Sequence, residues 1–533
     1  MRMKKDPRTV AFAASGTARR ARRYVRGGAA LVLAVWLAGC MVGPDYRKPE
    51  VQVPESFKEG VDWQRAQVNP AESLSSTWWR MYQDATLDDL VERSLKANQS
   101  IAAAEAAYRV ALATVESNTA GLFPIVTGDL SASRTGFGKG VTQVPGSSSS
   151  VAGSGGGVVN NTVAQLSASW EIDLWGSIRR QIESSQESAQ ASDAQLAGER
   201  LSIEASVTGD YLALRQADYD IRSLTKQQEI DARILEMTQT SFSAGAASSD
   251  QVLVAQDDLE TVVAQLQLTK ISREQDEHAL AVLTGVPPAG FEIAPDPDHV
   301  FVIPDVPLGL PSELLERRYD VVSAERTAAA ANSRIGVAEA AFFPSLTLSA
   351  DGGFQHNTFA HLFSLPNRFW TLGPELAETI FDGGARTAAV RQARAAYDGD
   401  VATYRNTVLT AFGSVEDSLS TVNHLRVQAS SFAAILHRNQ QLFASVRAQR
   451  DFGSASEQDL LNQQRTLIEA EQNLRDTQSL LAQSSVTLVK NLGGGWQWDD
   501  NKAAAATGHP LSSTAFSSID SQARRQDAGS PPN

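Results

Sequence analysis

Residues 162–174 read Thr-Val-Ala-Gln-Leu-Ser-Ala-Ser-Trp-Glu-Ile-Asp-Leu. Ala164, Leu166, Ala168, Trp170, Ile172 and Leu174 fall on even positions; Gln165, Ser167, Ser169, Glu171 and Asp173 fall on odd ones. Strict period two means an extended strand with one apolar and one polar face. Three more stretches alternate in the same way. Ile125 to Ser133 carries Val126, Leu130 and Ala132 on one parity. Leu346, Leu348, Ala350 and Phe354 alternate with Thr347, Ser349 and Asp351, and Trp370, Leu372, Pro374 and Leu376 alternate with Thr371, Gly373 and Glu375. Each is close to the roughly 9–11 residues that a tilted membrane strand needs. Phe123, Trp170, Phe343, Phe369 and Trp370 stand near the strand ends, where an interfacial aromatic girdle is expected. A half-buried soluble sheet alternates in the same way, so the choice rests on the surrounding chain.

The N-terminus argues for export. Nine Arg and Lys residues and one Asp precede the short apolar run 29–37, and Leu37-Ala38-Gly39-Cys40 follows. A basic head, an apolar stretch too short to span a bilayer and small residues before a cut site mark a secretory signal. Cys40 after that small pair reads as a lipobox whose thiol takes the lipid. It is the one cysteine in 533 residues, so it cannot close an intrachain disulfide. Met41 in the next position favours sorting to the outer membrane. The full chain has a formal charge of −14, and losing the basic leader makes the remainder more acidic. Nucleic acid is therefore not an expected partner, because phosphate backbones need Lys and Arg.

The chain is written twice. Residues 100–124 align with 320–344, 174–179 with 381–386, 242–248 with 450–456 and 280–285 with 488–493. The shift in offset places an insertion at Gly136–Asn161, rich in Ser and Gly, which reads as a surface loop. Each copy starts with a helical segment (about 86–120 and 312–341) ended by Phe-Pro, and two strands follow. A very long helix comes next, broken near Gly245 or Gly453, then a helix ending at Gly285 or Gly493. No proline lies between Pro145 and Pro287, or between Pro374 and Pro510, as uninterrupted helices require. Residues 178–242 alone would extend roughly 95 Å at 1.5 Å per residue; helices of that length pack side by side as coiled coils. The expected divisions are 1–39 (signal), 40–84 (lipid-anchored extended segment), 85–295 (first repeat), 296–495 (second repeat) and 496–533 (disordered tail).

Four strands cannot close a barrel, for which about eight are needed, and an open sheet edge in lipid is prohibitively costly. An oligomer follows: two copies supply eight strands and three supply twelve.

Lipobox, Gly43-Pro44-Asp45-Tyr46-Arg47-Lys48-Pro49, Trp78-Trp79 with Asp84 and Leu87-Asp88-Asp89-Leu90, and Ser169-Trp170-Glu171-Ile172-Asp173-Leu174-Trp175-Gly176 together resemble TolC-like outer membrane factors. The likeness is greatest to their NodT-type lipoprotein branch, which serves resistance-nodulation-division (RND) efflux systems, and it covers about residues 30–495. It implies an α+β membrane protein: a trimeric 12-stranded transmembrane β-barrel, four strands per chain, continued by a periplasmic α-helical coiled-coil barrel. It also implies a homotrimer in outer-membrane lipid, docked to a periplasmic adaptor and an inner-membrane RND pump, that passively conducts small molecules. A type I protein-secretion channel shares this architecture, and a coiled-coil structural lipoprotein is the non-conducting alternative.

In that family, acidic and polar rings close the periplasmic tip. The matching positions are Asp250 and Gln251 after Gly245, and Glu457, Gln458 and Asp459 after Gly453; the next acidic position of the family falls on Asn462. Gly245 and Gly453 mark the helix breaks expected to contact the adaptor. The same acids also suit helix N-termini, where the dipole favours negative charge. No enzymatic constellation is visible. The seven histidines have no metal-ligand spacing, and Gly136–Gly140 lacks the strand-to-helix setting of a phosphate loop. No cofactor, metal or catalytic residue is expected.

Overall fold

The computed structural model describes residues 41–60, 75–136, 158–306 and 317–496. The signal segment 1–39, Cys40 and the tail beyond 496 lie outside the described residues, as does most of the 136–161 insertion.

Elements follow in the order α1 (Ala85–Ala97), α2 (Gln99–Ala120), β1 (Ile125–Gly136), β2 (Val158–Ile172), α3 (Ser177–Ser243) and α4 (Ser249–Leu283). Then come α5 (Tyr319–Ala340), β3 (Ser345–His356), β4 (Arg368–Ala377), α6 (Ala385–Asp451) and α7 (Glu457–Asn491). Corresponding helices match in length: α2 and α5 have 22 residues, α3 and α6 have 67, and α4 and α7 have 35. Among the described residues no helix is long and apolar enough to cross a membrane.

The first helical segment differs from its expectation, because it breaks at Asn98. The Asn98 side chain accepts from the backbone N–H groups of Ser100 and Ile101, at 2.9 and 3.2 Å, and so starts α2 as α1 ends. Asn competes well for backbone donors at a helix start and poorly in a helix interior. β2 also reaches further back than expected, to Val158, which pairs with Gly136 and takes residues from the insertion.

The described residues divide into two compact units. One comprises the N-terminal segment through Arg47 with Ala113–Ser185 and Ala329–Asp398, and it holds the sheet. Its four strands run antiparallel in the order β1-β2-β3-β4. The segment at Val42–Asp45 is bound to this unit by Arg180, whose guanidinium donates to the carbonyls of Val42 and Gly43 and to Asp45.

The other unit, Lys48–Leu112, Gln186–Ala328 and Gly399 onward, contains the largest apolar core. Trp78, Leu87 and Val91 are buried there with Leu214, Val415 and Leu488. Trp78 donates its indole N–H to Glu204 at 2.8 Å. Burial pushes the Glu204 carboxyl up to about 7, against the lowering influence of that hydrogen bond. Asp84 caps α1 through the N–H groups of Thr86 and Leu87 and also accepts from the Tyr211 hydroxyl at 2.6 Å.

Candidate functional site

The register of the sheet sorts its side chains onto two faces. Across one row run Leu130, Ala164 and Phe354; across others run Val126–Ala168–Ala350–Leu372 and Trp170–Leu348–Pro374. Gly128–Leu166–Gly352–Trp370 and Ile172–Leu346–Leu376 lie on the same face, which at its far end passes into Arg368, Thr162 and His356. The opposite parity carries Thr127–Ser167–Asp351–Thr371, Asp129–Gln165–Gly353 and Glu171–Thr347–Glu375. Because pairing in a sheet keeps parity, four separately alternating stretches add up to one face that is apolar over most of its length and one polar face.

The aromatic residues singled out by sequence separate on this sheet. Trp170 and Trp370 both project on the apolar face, four residues apart as measured along β3. The Trp170 indole donates to the Leu122 carbonyl at 2.9 Å, fixing the ring near the start of β1. Phe369 pairs with Gly353 and shares the parity of the polar residues, so it lies off the apolar face where the girdle was expected. Phe123 and Phe343 lie in the turns that enter β1 and β3, outside the strands themselves.

The two helix breaks of the other unit are built alike. After α3, Gly245 has φ +76 and donates its N–H to the Phe242 carbonyl, while Ala246 donates to Ser241. After α6, Gly453 has φ +77 and donates to Arg450, while Ser454 donates to Gln449. This is the paired-bond stop that a glycine in the left-handed region permits. The following helices then begin with reciprocal caps, Ser248 with Gln251 and Ser456 with Asp459.

That second cap changes how Asp459 reads. Its carboxylate accepts from the Ser456 N–H at 2.9 Å and from the Ser456 hydroxyl at 2.6 Å. Hydrogen bonding to Ser456 holds its carboxyl below the usual range. Glu457 pairs with Arg450 at 3.4 Å. Asp250, Gln251, Gln458 and Asn462 instead share a groove of about 420 Å³, lined also by Asp258 and Arg465. The structure therefore brings three of the five expected gate residues to one groove and places Glu457 and Asp459 off it. Asn462, where the acidic pattern lapses, does line the groove.

Arg465 was not legible as a site residue. Its guanidinium lies 3.2 Å from Asp258 on α4 and 3.5 Å from Asp231 on α3, so one cation on α7 joins three helices at the tip. Asp231 is 2% exposed, and burial raises its carboxyl above the usual range, Arg465 opposing that shift. Among the described residues there is no group of three or more His, Cys, Asp or Glu that could hold a metal ion.

The family model for outer membrane efflux proteins matches residues 90–286 and 310–494, a stretch in each half of the chain. The chain belongs to this family. The toluene efflux pump outer membrane protein TtgC of Pseudomonas putida is 30% identical over 472 residues, covering 87% of this chain and 94% of the relative. The pyoverdine export outer membrane protein OpmQ of Pseudomonas aeruginosa is 33% identical over 425 residues, covering 79% and 88%. Among solved structures, the CmeC outer membrane channel of Campylobacter jejuni superposes with a TM-score of 0.75 at 25% identity, covering 87% of this chain and 97% of that one. These relatives are outer-membrane channels and export components, and outer-membrane efflux is the family's function.

For an efflux protein of this kind, the features that sequence reading missed are the clasps that position its helices. Asp218, with a side chain 1% exposed, accepts from Arg215 at 3.1 Å, Arg273 at 2.7 Å and the Asp296 N–H at 2.9 Å. Arg273 also donates to the Ile293 carbonyl, and Glu277 accepts from the Ile293 N–H. The segment after α4 is thereby fastened to α3 and α4. The residue types gave a faint signal, since fully buried Arg and Asp are rare unless paired, but their partners are as many as 78 positions apart.

Proposed function

We propose that the chain is the outer-membrane exit duct of a tripartite RND-type efflux system, passively conducting drugs and other small toxic compounds out of the cell. The observation that carries this reading is the sheet: among the described residues it has four strands, one apolar face, one polar face, and β1 and β4 without strand partners on their outer sides. Lipid satisfies the apolar face, water the polar one, and only closure with further copies satisfies the edges. Three copies make twelve strands, wide enough for an aqueous lumen, where eight would be filled by side chains. The homotrimer thus supplies a pore that no single chain contains.

The helix tips form the periplasmic gate. Asp250 and Asp459, repeated by each copy around the axis, repel one another and attract cations, so a closed tip needs paired or bound positive charge. Gly245 and Gly453 shape the turns that meet a periplasmic adaptor, which couples the duct to the inner-membrane pump. Lipid on Cys40 anchors the N-terminal segment; mass spectrometry of the mature N-terminal peptide tests it, and an unmodified thiol would refute it.

A deletion strain tests the function. Loss of the gene should raise intracellular accumulation of several unrelated drugs, restored by the wild-type copy. Unchanged drug accumulation together with loss of a secreted protein would make the chain a type I secretion channel instead.

A further inference from the structure

The charged side chains of the four strands are sorted by face and by end. Asp129, Glu171, Asp351 and Glu375 all lie on the polar face. The strands carry two Arg and no Lys, Arg134 in β1 and Arg368 in β4. Arg134 pairs with Asn160 and Arg368 with Phe354, which puts both on the apolar face, and no Asp or Glu of any strand shares it. Both also stand at one end. The strands join the helices at the end marked by Ile125, Ile172, Ser345 and Ala377, whereas Arg134 and Arg368 lie towards the β1–β2 and β3–β4 connections. Both residues are exposed, and among the described residues neither guanidinium has an ion-pair or hydrogen-bond partner. His356 nearby is engaged by its own loop, its Nδ1 accepting from the Thr358 N–H at 3.1 Å.

The surroundings are those of a membrane boundary. Along β4 the apolar face runs Leu376, Pro374, Leu372 and Trp370, and then turns to Arg368. The Trp370 ring is exposed. Phe363, from the β3–β4 connection, stands edge-on to Phe354, the cross-strand neighbour of Arg368, with ring centroids 5.6 Å apart. Aromatic rings gather where hydrocarbon meets headgroup. Arg on the lipid face of a barrel is costly at mid-depth and tolerated near the interfaces. In the proposed duct the helices continue into the periplasm, so this end of the sheet faces the outer leaflet.

We infer that Arg134 and Arg368 form a phosphate-binding site for outer-leaflet lipid, completed between copies. β1 and β4 are the two edge strands. Closing the ring sets Arg134 of one copy beside the β4 of the next, on the same face and towards the same end as that copy's Arg368; the inference rests on the ring proposed above. Two guanidiniums brought to one seam, with no acid on their face, repel one another until an anion sits between them. Lipid phosphate is the anion available at this depth, and the planar guanidinium meets it with two parallel N–H bonds. Two cations favour a phosphate monoester, which approaches a double charge, over the singly charged diester of phosphatidylethanolamine. The acyl chains of that lipid lie along Trp370 and Leu372.

The test uses the full-length assembly in detergent, with diphosphoryl lipid A as the added lipid and the dissociation temperature of the assembly as the readout. The site predicts that lipid A raises this temperature for wild type. Arg134→Gln combined with Arg368→Gln should lose most of that rise while still conducting in planar bilayers. Phosphatidylethanolamine and inorganic phosphate should give much smaller rises; an equal rise with either would overturn the assignment. A double variant that keeps the whole rise, or a conducting wild-type assembly that shows none, would overturn the site and leave the duct standing. A wild-type protein that neither assembles nor conducts would overturn the ring reading itself. If the double variant does not assemble, the single variants decide: each should lose part of the rise, and two singles with the full rise would overturn the site.

Discussion

Ser456 and Asp459 hydrogen-bond to one another in both directions: the Asp459 N–H donates to the Ser456 hydroxyl at 3.1 Å, and the Ser456 N–H donates to the Asp459 carboxylate at 2.9 Å. One side chain therefore serves both as the cap of α7 and as a proposed gate charge, and the two duties separate on substitution. Asp459→Asn removes the charge and keeps an acceptor, so it should weaken cation preference in planar bilayers and leave thermal unfolding almost unchanged. Asp459→Ala should do both, weakening cation preference and loosening the tip turn to protease. Asp459→Asn with wild-type selectivity would confine the residue to capping.

Arg465 predicts a pH-dependent defect. Removing it by Arg465→Ala leaves Asp231 buried without its cation, a change that costs about 3–5 kcal/mol in buried pairs. The Asp231 carboxyl then titrates still higher in the folded chain than in the unfolded one. A folded-state proton affinity above the unfolded value means stability is greatest at acid pH and is lost as pH rises towards the folded value. Thermal melts should therefore separate variant from wild type more at pH 8 than at pH 5. An equal deficit at both would contradict the charge argument.

Asp220 on α3 and Asp476 on α7 make a second pH-dependent element. The Gln216 amide donates to both carboxylates, at 3.0 and 2.6 Å. Burial first, and the neighbouring Asp476 second, push Asp220 up to about 7, with Gln216 and Arg475 opposing. Stability from this group is present below about pH 4 and is lost between about 4 and 7 as the buried carboxyl is forced to ionise. Asp220→Asn should flatten that stretch of the stability profile and raise the melting temperature at pH 8, measured by calorimetry. A profile identical to wild type would show that the pair is solvated in the assembled protein.

Asp218→Ala should be among the most damaging single changes in the chain. It removes the carboxylate shared by Arg215, Arg273 and the Asp296 N–H; Arg273 keeps Glu277 and Arg215 keeps the Ala294 carbonyl, so the loss falls at the low end of the roughly 3–5 kcal/mol that breaking buried pairs costs. Hydrogen exchange should show lost protection concentrated in residues 285–306, where Ile293 and Asp296 are held. Protection lost evenly along α3 and α4 would mean that the cluster stabilises the helices without fastening the segment.

Local patterns were readable because local physics produced them. Alternation from Ala164 to Ile172 survived as a strand because pairing with β1 and β3 left both of its faces to be satisfied by side-chain polarity. Gly245 and Gly453 stood out because a left-handed helix stop favours glycine. Asn98 misled the reading, since the surrounding Ala-rich sequence continues a helix and only the Asn98 side chain's hold on Ser100 and Ile101 ends one. Glu204, Asp218 and Arg465 were invisible for a different reason. Each is an ordinary charge on a helix until folding sets Trp78, Arg273 or Asp231 against it, and nothing in local spacing encodes those meetings. Phe369 and Trp370 show the limit of counting aromatic residues: adjacent in sequence, they project on opposite faces.

Single-channel recording of the purified full-length protein in planar bilayers, with wild type beside Asp351→Lys, tests the central claim most directly. Asp351 lies in the row Thr127–Ser167–Asp351–Thr371 on the polar face. If that face lines the lumen of a closed ring, wild type gives discrete current steps with cation preference, and Asp351→Lys shifts the reversal potential towards anions. A wild-type protein that inserts without conducting, or an Asp351→Lys channel with unchanged selectivity, would contradict the account.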